Sequence, residues 1–228
     1  MTGQRRQAGL VATVAEALAG SSNGTAPTVS GADLEQHALL LPPGTMLHRA
    51  GEDRAETLFV LSGRGRVRIG SEEHELVPET GFFLAAGEDA ELEADEELRL
   101  VRALAPAGAP EERRAVRFDE APEEEAGIGR HFRLLACSST TTQFVGIVPP
   151  GRAKMHNHPY DEVACVLEGE GVMHWEDDTH IPVGPGSCIW FPRLVFHSLE
   201  NTGSSNLRIM GVINPKHSPA DRVDVLDW

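Results

Sequence analysis

The sequence predicts an all-β protein of two tandem barrels with a short N-terminal helix. Short segments rich in β-branched and aromatic residues alternate with Gly, Pro and Asp turns along most of the 228 residues, the pattern of a sandwich or barrel. Fifteen prolines and 23 glycines leave few long helical periodicities. The chain also repeats itself. LLPPG ending at Gly44 parallels IVPPG ending at Gly151, ETLFVLSGRGRV from Glu56 parallels EVACVLEGEGVM from Glu162, and Gly81 parallels Gly186, at offsets of 107, 106 and 105 residues. Two copies of one small barrel are expected.

The N-terminus opens with Arg5-Arg6 and then AGLVATVAEALAG, faintly like an export signal. Glu16 interrupts the apolar run, and Leu10, Val11, Val14 and Leu18 recur at helical spacing, which predicts a short amphipathic helix packed on the domain. GSSNGTAPTVSG, residues 20–31, reads as a flexible connector, so residues 1–31 are helix and connector. The first barrel occupies residues 32–105, with strands expected over 37–41, 57–61, 66–69, 81–84 and 98–104. Residues 106–129 are rich in charge, Pro, Ala and Gly and predict an inter-domain linker draped over the surface. It carries a short strand at 115–118 and a solvated acidic face at Glu123-Glu124-Glu125. The second barrel spans residues 130–215. The tail, 216–228, is polar and ends on Trp228, expected to dock.

Composition narrows the partners. A net charge of −15 repels phosphates over most of the surface and argues against nucleic acid. No apolar run approaches the ~20 residues that span a bilayer. Cys137, Cys165 and Cys188 are odd in number and lack paired spacing, which predicts no disulfide framework, small buried hydrophobes and a reducing cytoplasm.

The stretch that carries chemistry is PPGRAKMHNHPYDEVACVLEGEG, from Pro149 to Gly171. Side chains alternate faces on a strand, so His156 and His158 point the same way and can share a metal ion. Glu162 keeps that parity after the Pro159-Tyr160-Asp161 step, and His197, five residues after Pro192, supplies a fourth candidate. Three imidazoles and a carboxylate suit a divalent ion of the Mn, Fe, Co, Ni, Cu or Zn series. In a six-coordinate ion they leave about two positions open, as a catalytic metal needs.

These residues resemble the cupin superfamily. Its first motif is matched by Gly151, His156, His158, Glu162 and Gly169, with the first spacer one residue short. The second is matched by Gly186, Pro192, His197 and Asn201, while Leu194 stands where a Gly is common. The resemblance implies two jelly-roll (double-stranded β-helix) barrels, a bicupin, with one metal site in the second. Homodimerisation, common among cupins, is also expected. In the first copy His156 and His158 correspond, counting back from Glu56, to Ala50 and Glu52, and His197 falls near Leu92. His48 and Glu56 remain as vestiges, so that barrel is read as structural or as a metal-free ligand site.

For the substrate pocket, parity places Ala164 and Val166 on the Glu162 face and Lys154 on the His156 face, Met173, Trp175, Trp190 and Phe196 are candidate apolar walls, and Tyr160 lies in the turn between the ligands. Lys154 could steer an anionic substrate, and Tyr160 could border the entrance. His174, His180 and His217 lack ligand spacing and read as surface or turn residues; His131 is unassigned. For function the resemblance first implies a mononuclear oxygenase of a small organic substrate, after the quercetin and gentisate dioxygenases, with Glu162 able to act as a base. A non-oxidative isomerase, lyase or aminohydrolase comes second, and a ligand-binding barrel without turnover third. Fold likeness alone does not choose among them.

Overall fold

The computed structural model describes residues 11–111, 113–127 and 129–224, and nearly all their regular structure is β. Each half folds a large sheet over a small one. In the first half the large sheet runs, in spatial order, Ala115–Arg117, Thr80–Leu84, Ala55–Ser62, Leu98–Ala105, Glu35–Leu41 and Thr25–Ser30. Its small sheet is Met46–Arg49, Ala90–Ala94, Gly65–Ile69 and Glu72–Leu76. In the second half the large sheet is Val11–Thr13, Ser187–Phe191, Asp161–Glu168, Leu207–Asn214, Thr142–Val148, Arg130–Leu134 and Glu123–Gly127. The small sheet there is His180–Val183, Gly171–Trp175, His197–Asn201, His156–Asn157 and Val223–Asp224, with Gly151–Arg152 also paired to His197–Asn201. These are two tandem antiparallel jelly-roll barrels.

Alternation along the central strands builds three cores at once. From Asp161 to Val166 every residue is buried. Ala164 and Val166 face the second barrel's interior with Met173, Trp175, Ile189 and Leu207. Val163 and Cys165 face the other way, onto Phe59, Val101, Val145, Cys188, Trp190 and Met210 between the barrels. Leu58, Val60, Val67, Phe82 and Leu98 fill the first barrel. A strand buried on both faces reads as a continuous apolar run, which is why ETLFVL and EVACVL look alike. Within the inter-barrel contact, Gln143 Nε2 donates to the Leu58 carbonyl at 3.0 Å. All three cysteines are buried and free. Among the described residues no helix is long and apolar enough to cross a membrane.

The segments outside the barrels differ from expectation. The helix covers Val14–Ala19, with Thr13 Oγ1 accepting from the Glu16 N–H at 3.2 Å. Val11–Thr13 is instead a strand on Ser187–Ile189 of the second barrel, because an open sheet edge offers a ladder that outweighs helical spacing in β-branched residues. Arg5-Arg6, Leu10 and Trp228 lie outside the described residues. The flexible connector is an edge strand, Thr25–Ser30, with Ala26, Thr28 and Val29 buried. Its Pro27 sits at a register shift, where a missing N–H interrupts little. In the linker the short strand expected at 115–118 is present as Ala115–Arg117, extending the first large sheet, while the acidic run expected as a solvated face lies in a second strand, Glu123–Gly127, at the edge of the other large sheet.

Candidate metal centre

His156, His158 and His197 are the group of described residues able to hold a metal ion, with their ligand atoms all within 4.8 Å of one another. His156 and His197 face each other across neighbouring strands. The three ring centroids form a near-equilateral triangle of 4.9, 4.9 and 5.0 Å. Each Nδ1 meets a backbone carbonyl: His156 that of Lys154 at 2.8 Å, His158 that of Asp221 at 3.0 Å, and His197 that of Val195 at 2.9 Å. A carbonyl can only accept, so each Nδ1 carries the proton and each Nε2 keeps its lone pair for a ligand. Burial holds all three rings below the ordinary imidazole range, His158 at about 4, so they are neutral near pH 7. A set of neutral, tautomer-locked nitrogens fits a divalent transition metal.

Glu162 lies on the same inner face, in register with Phe191 and Ile213. Burial alone pushes its carboxyl up to about 8. Gly211 opposite makes room for it, since a Cβ there would stand 2.8 Å from Glu162 Oε1 and 2.5 Å from Phe144 Cε1. The 192–196 turn is tied to the ligand segment, with Leu194 N–H donating to the His158 carbonyl and Arg193 N–H to Asp161 Oδ1. Asn201 is a clamp, its Nδ2 donating to the Val148 and Ser205 carbonyls.

The first barrel shows what replaces this chemistry. Arg49 pairs with Ala90 as His156 pairs with His197, and Ala94 and Asn201 each face the glycine that opens the next strand. Arg49 and Ala90, not Ala50 and Leu92, therefore occupy the places of His156 and His197. Six residues separate Arg49 from Glu56 but five separate His156 from Glu162, so counting back from the glutamate slips by one. Arg49 Nε donates to Glu56 Oε1 at 2.6 Å, both side chains being buried. The buried glutamate common to both barrels is paired with a guanidinium in one; in the other it shares the cavity lining with the imidazoles but lies outside their 4.8 Å group. His48 points outward, 64% exposed, beside Glu91 at 3.4 Å.

The imidazoles and Glu162 line a cavity of about 100 Å³ with Phe132, Phe144, Phe191, Arg130 and Arg222. None of the eight residues expected to line the pocket is on its wall. Ala164, Val166, Met173 and Trp175 are packed in the barrel core. Trp190 faces the other barrel, because Phe191, not Trp190, is the register partner of Glu162; a one-residue slip exchanges the faces. Phe196 lies just before His197, and Lys154 is exposed, its carbonyl meeting the His156 ring. Tyr160 is buried behind His158, stacked at 4.7 Å. Two cations that sequence reasoning missed complete the wall. Arg130, read as the barrel's first residue, donates from Nη2 to the Leu199 carbonyl at 3.0 Å, and burial beside Arg222 lowers it to about 10. Arg222 comes from the tail, which turns back so that Val223–Asp224 pairs with His156–Asn157. Nothing in the local sequence marks Arg222. His131, left unassigned, also lines the cavity.

Two jelly rolls, one of them enclosing three imidazoles able to hold a metal ion, define a two-barrel protein with a candidate metal centre. Residues 144–213 match the cupin domain family. The oxalate-binding protein of Thermotoga maritima is 34% identical over 68 residues, 29% of this chain and 55% of that protein. The match thus spans about half the length of that relative. Among solved structures, a variant of Bacillus subtilis oxalate decarboxylase superposes with a TM-score of 0.78 at 14% identity, covering 97% of this chain and 81% of the other. The formate complex of Lactobacillus farciminis oxalate decarboxylase gives 0.76 at 12% identity, covering 95% and 88%. A cupin 2 conserved barrel domain protein from Leptotrichia buccalis gives 0.65 at 15%, covering 83% and 88%. At these identities the superpositions establish the bicupin fold.

Proposed function

We propose that the second barrel binds a divalent transition metal through His156, His158, His197 and Glu162, and beside it a small carboxylic acid that Arg130 and Arg222 hold, for non-oxidative cleavage such as decarboxylation. The observation that carries this reading is the pair of arginines on the same cavity wall as the imidazoles. Once bound, the metal supplies a Lewis acid that polarises a carboxylate oxygen. Arg130 and Arg222 neutralise the anion and fix its orientation, guanidinium being matched to a carboxylate's geometry. The aromatic wall of Phe132, Phe144 and Phe191 excludes water and strengthens those contacts. A cavity of about 100 Å³ suits an anion the size of oxalate and is well below the roughly 300–1,000 Å³ of drug-sized pockets. That size counts against a flavonoid. Names of the relatives, an oxalate-binding protein and oxalate decarboxylases, point to the same class of ligand.

The test is to load the protein with Mn²⁺, Fe²⁺, Co²⁺, Ni²⁺, Cu²⁺ or Zn²⁺ in turn and supply oxalate, malonate and related acids. Released carbon dioxide and consumed oxygen are measured together. Carbon dioxide without oxygen uptake supports the cleavage reading, stoichiometric oxygen uptake supports the oxygenase expected from sequence, and binding without turnover leaves a carrier. Replacing Arg222 with Ala should weaken acid binding about 10- to 100-fold, the worth of a charged hydrogen bond. Unchanged affinity would remove the arginines from the proposal.

A further inference from the structure

Among the described residues outside the cavity, His174, His180 and Glu200 come together on the second barrel and have no role so far. The Gly171–Trp175 and His180–Val183 strands form a hairpin in which His174 stands directly opposite His180. Met173 and Trp175 point into the barrel core, so His174 projects from the outer face, away from the cavity. It is nevertheless buried, and its Nε2 donates to Glu200 Oε2 at 2.7 Å on the neighbouring strand. Its Nδ1 lies 2.9 Å from Nδ1 of the exposed His180, with the ring centroids 4.7 Å apart at 66°.

We propose that His174 and His180 form a second metal site, for a tetragonal ion such as Cu²⁺ or Ni²⁺, on the outer wall of the second barrel. With Nε2 of His174 donating to Glu200, its Nδ1 keeps a lone pair and accepts the Nδ1–H of His180. When an ion binds, His180 passes to its Nε2–H tautomer, the proton moving from Nδ1 to Nε2 by exchange with solvent, and both Nδ1 lone pairs are free for the ion. Two nitrogens each about 2.05 Å from an ion lie about 2.9 Å apart at 90° and about 3.3 Å apart at the tetrahedral angle. The observed separation matches the right-angled pair that Cu²⁺ and Ni²⁺ prefer. Glu200 supplies the carboxylate behind a ligating imidazole that fixes its tautomer and ring orientation. Water completes the coordination, because His180 is at the surface. The pair spans two strands and so fastens the hairpin whose inner face carries Trp175, 5.7 Å by ring centroid from His197.

The test uses untagged full-length chain carrying His156→Ala and His158→Ala, titrated with Cu²⁺ by calorimetry and followed by electron paramagnetic resonance. One ion per chain is expected to remain, with hyperfine structure from two nitrogens. His180→Ala, a change at an exposed position, should abolish that signal, and Glu200→Gln should weaken binding about 10-fold or more. In the otherwise intact chain, His180→Ala should lower the copper stoichiometry from two to one, which serves if the double variant folds poorly. No residual ion on a folded double variant, or binding indifferent to His180→Ala, overturns the proposal.

Discussion

Loading the metal-free protein with its ion should release nearly one proton at pH 7, and that proton should come from Glu162. Burial sets the Glu162 carboxyl at about 8, so about nine in ten molecules hold the proton there at pH 7. The imidazoles add almost nothing, because His158 titrates at about 4 and the other two are also held below their ordinary range. A ligating carboxylate must be ionised, so binding expels the proton. Calorimetric titration in two buffers of different ionisation enthalpy reads this directly. Release should be about 0.9 proton at pH 7 and about 0.1 at pH 9. Glu162→Gln should bring it near zero. The same shift sets the pH dependence of stability without metal. A carboxyl raised from 4.5 to about 8 stabilises the fold fully below 4.5, and that contribution is lost as pH rises through 8. The loss amounts to about 5 kcal/mol. Metal should offset it, so the Tm gain on loading should grow with pH over that window. Absent proton release at pH 7, or release unchanged in Glu162→Gln, would refute Glu162 as a ligand.

Two further outcomes are expected from the turn and the first barrel. Arg49→Leu should destabilise the protein by about 3 kcal/mol in urea unfolding, because it removes the 2.6 Å partner of the buried Glu56 carboxylate and leaves it facing Arg102 at 3.9 Å. Arg49→Leu with Glu56→Leu should recover much of that, and a double variant no more stable than the single would disprove the pairing as the cause. Leu194 has a φ of 62° and is 63% exposed. Leu194→Gly should therefore raise stability by about 0.5–1 kcal/mol, the relief of left-handed strain less the added backbone entropy; a drop in Tm would show that its side chain contributes more than its backbone costs.

Much of the site was legible because its signals are local. His156, His158 and Glu162 lie within one short strand-and-turn segment whose parity fixes their common face, and the 106-residue offset between Glu56 and Glu162 announces the second barrel. Phe191 was legible in principle and lost to a single residue of register. Arg222 was not, since its relation to His156 exists only through a ladder between residues 156–157 and 223–224. Composition also read residues 20–31 as a connector and 216–228 as a polar tail, where the structure has strands at Thr25–Ser30 and Val223–Asp224. An edge strand needs few apolar residues of its own when a neighbouring sheet supplies both the hydrogen bonds and the covered face.

The sequence by itself determined the two-barrel architecture, the loss of imidazoles from the first copy and the set of candidate ligands in the second. Those depend on alternation and spacing, which the backbone geometry of a strand converts into position. Only the tertiary structure decided which carbonyls hold each Nδ1–H, that Arg49 stands in the place of His156, and that Arg130 and Arg222 come to line the cavity. These depend on contacts between residues far apart in the chain, and no local pattern encodes which distant backbone or guanidinium will arrive beside a given ring.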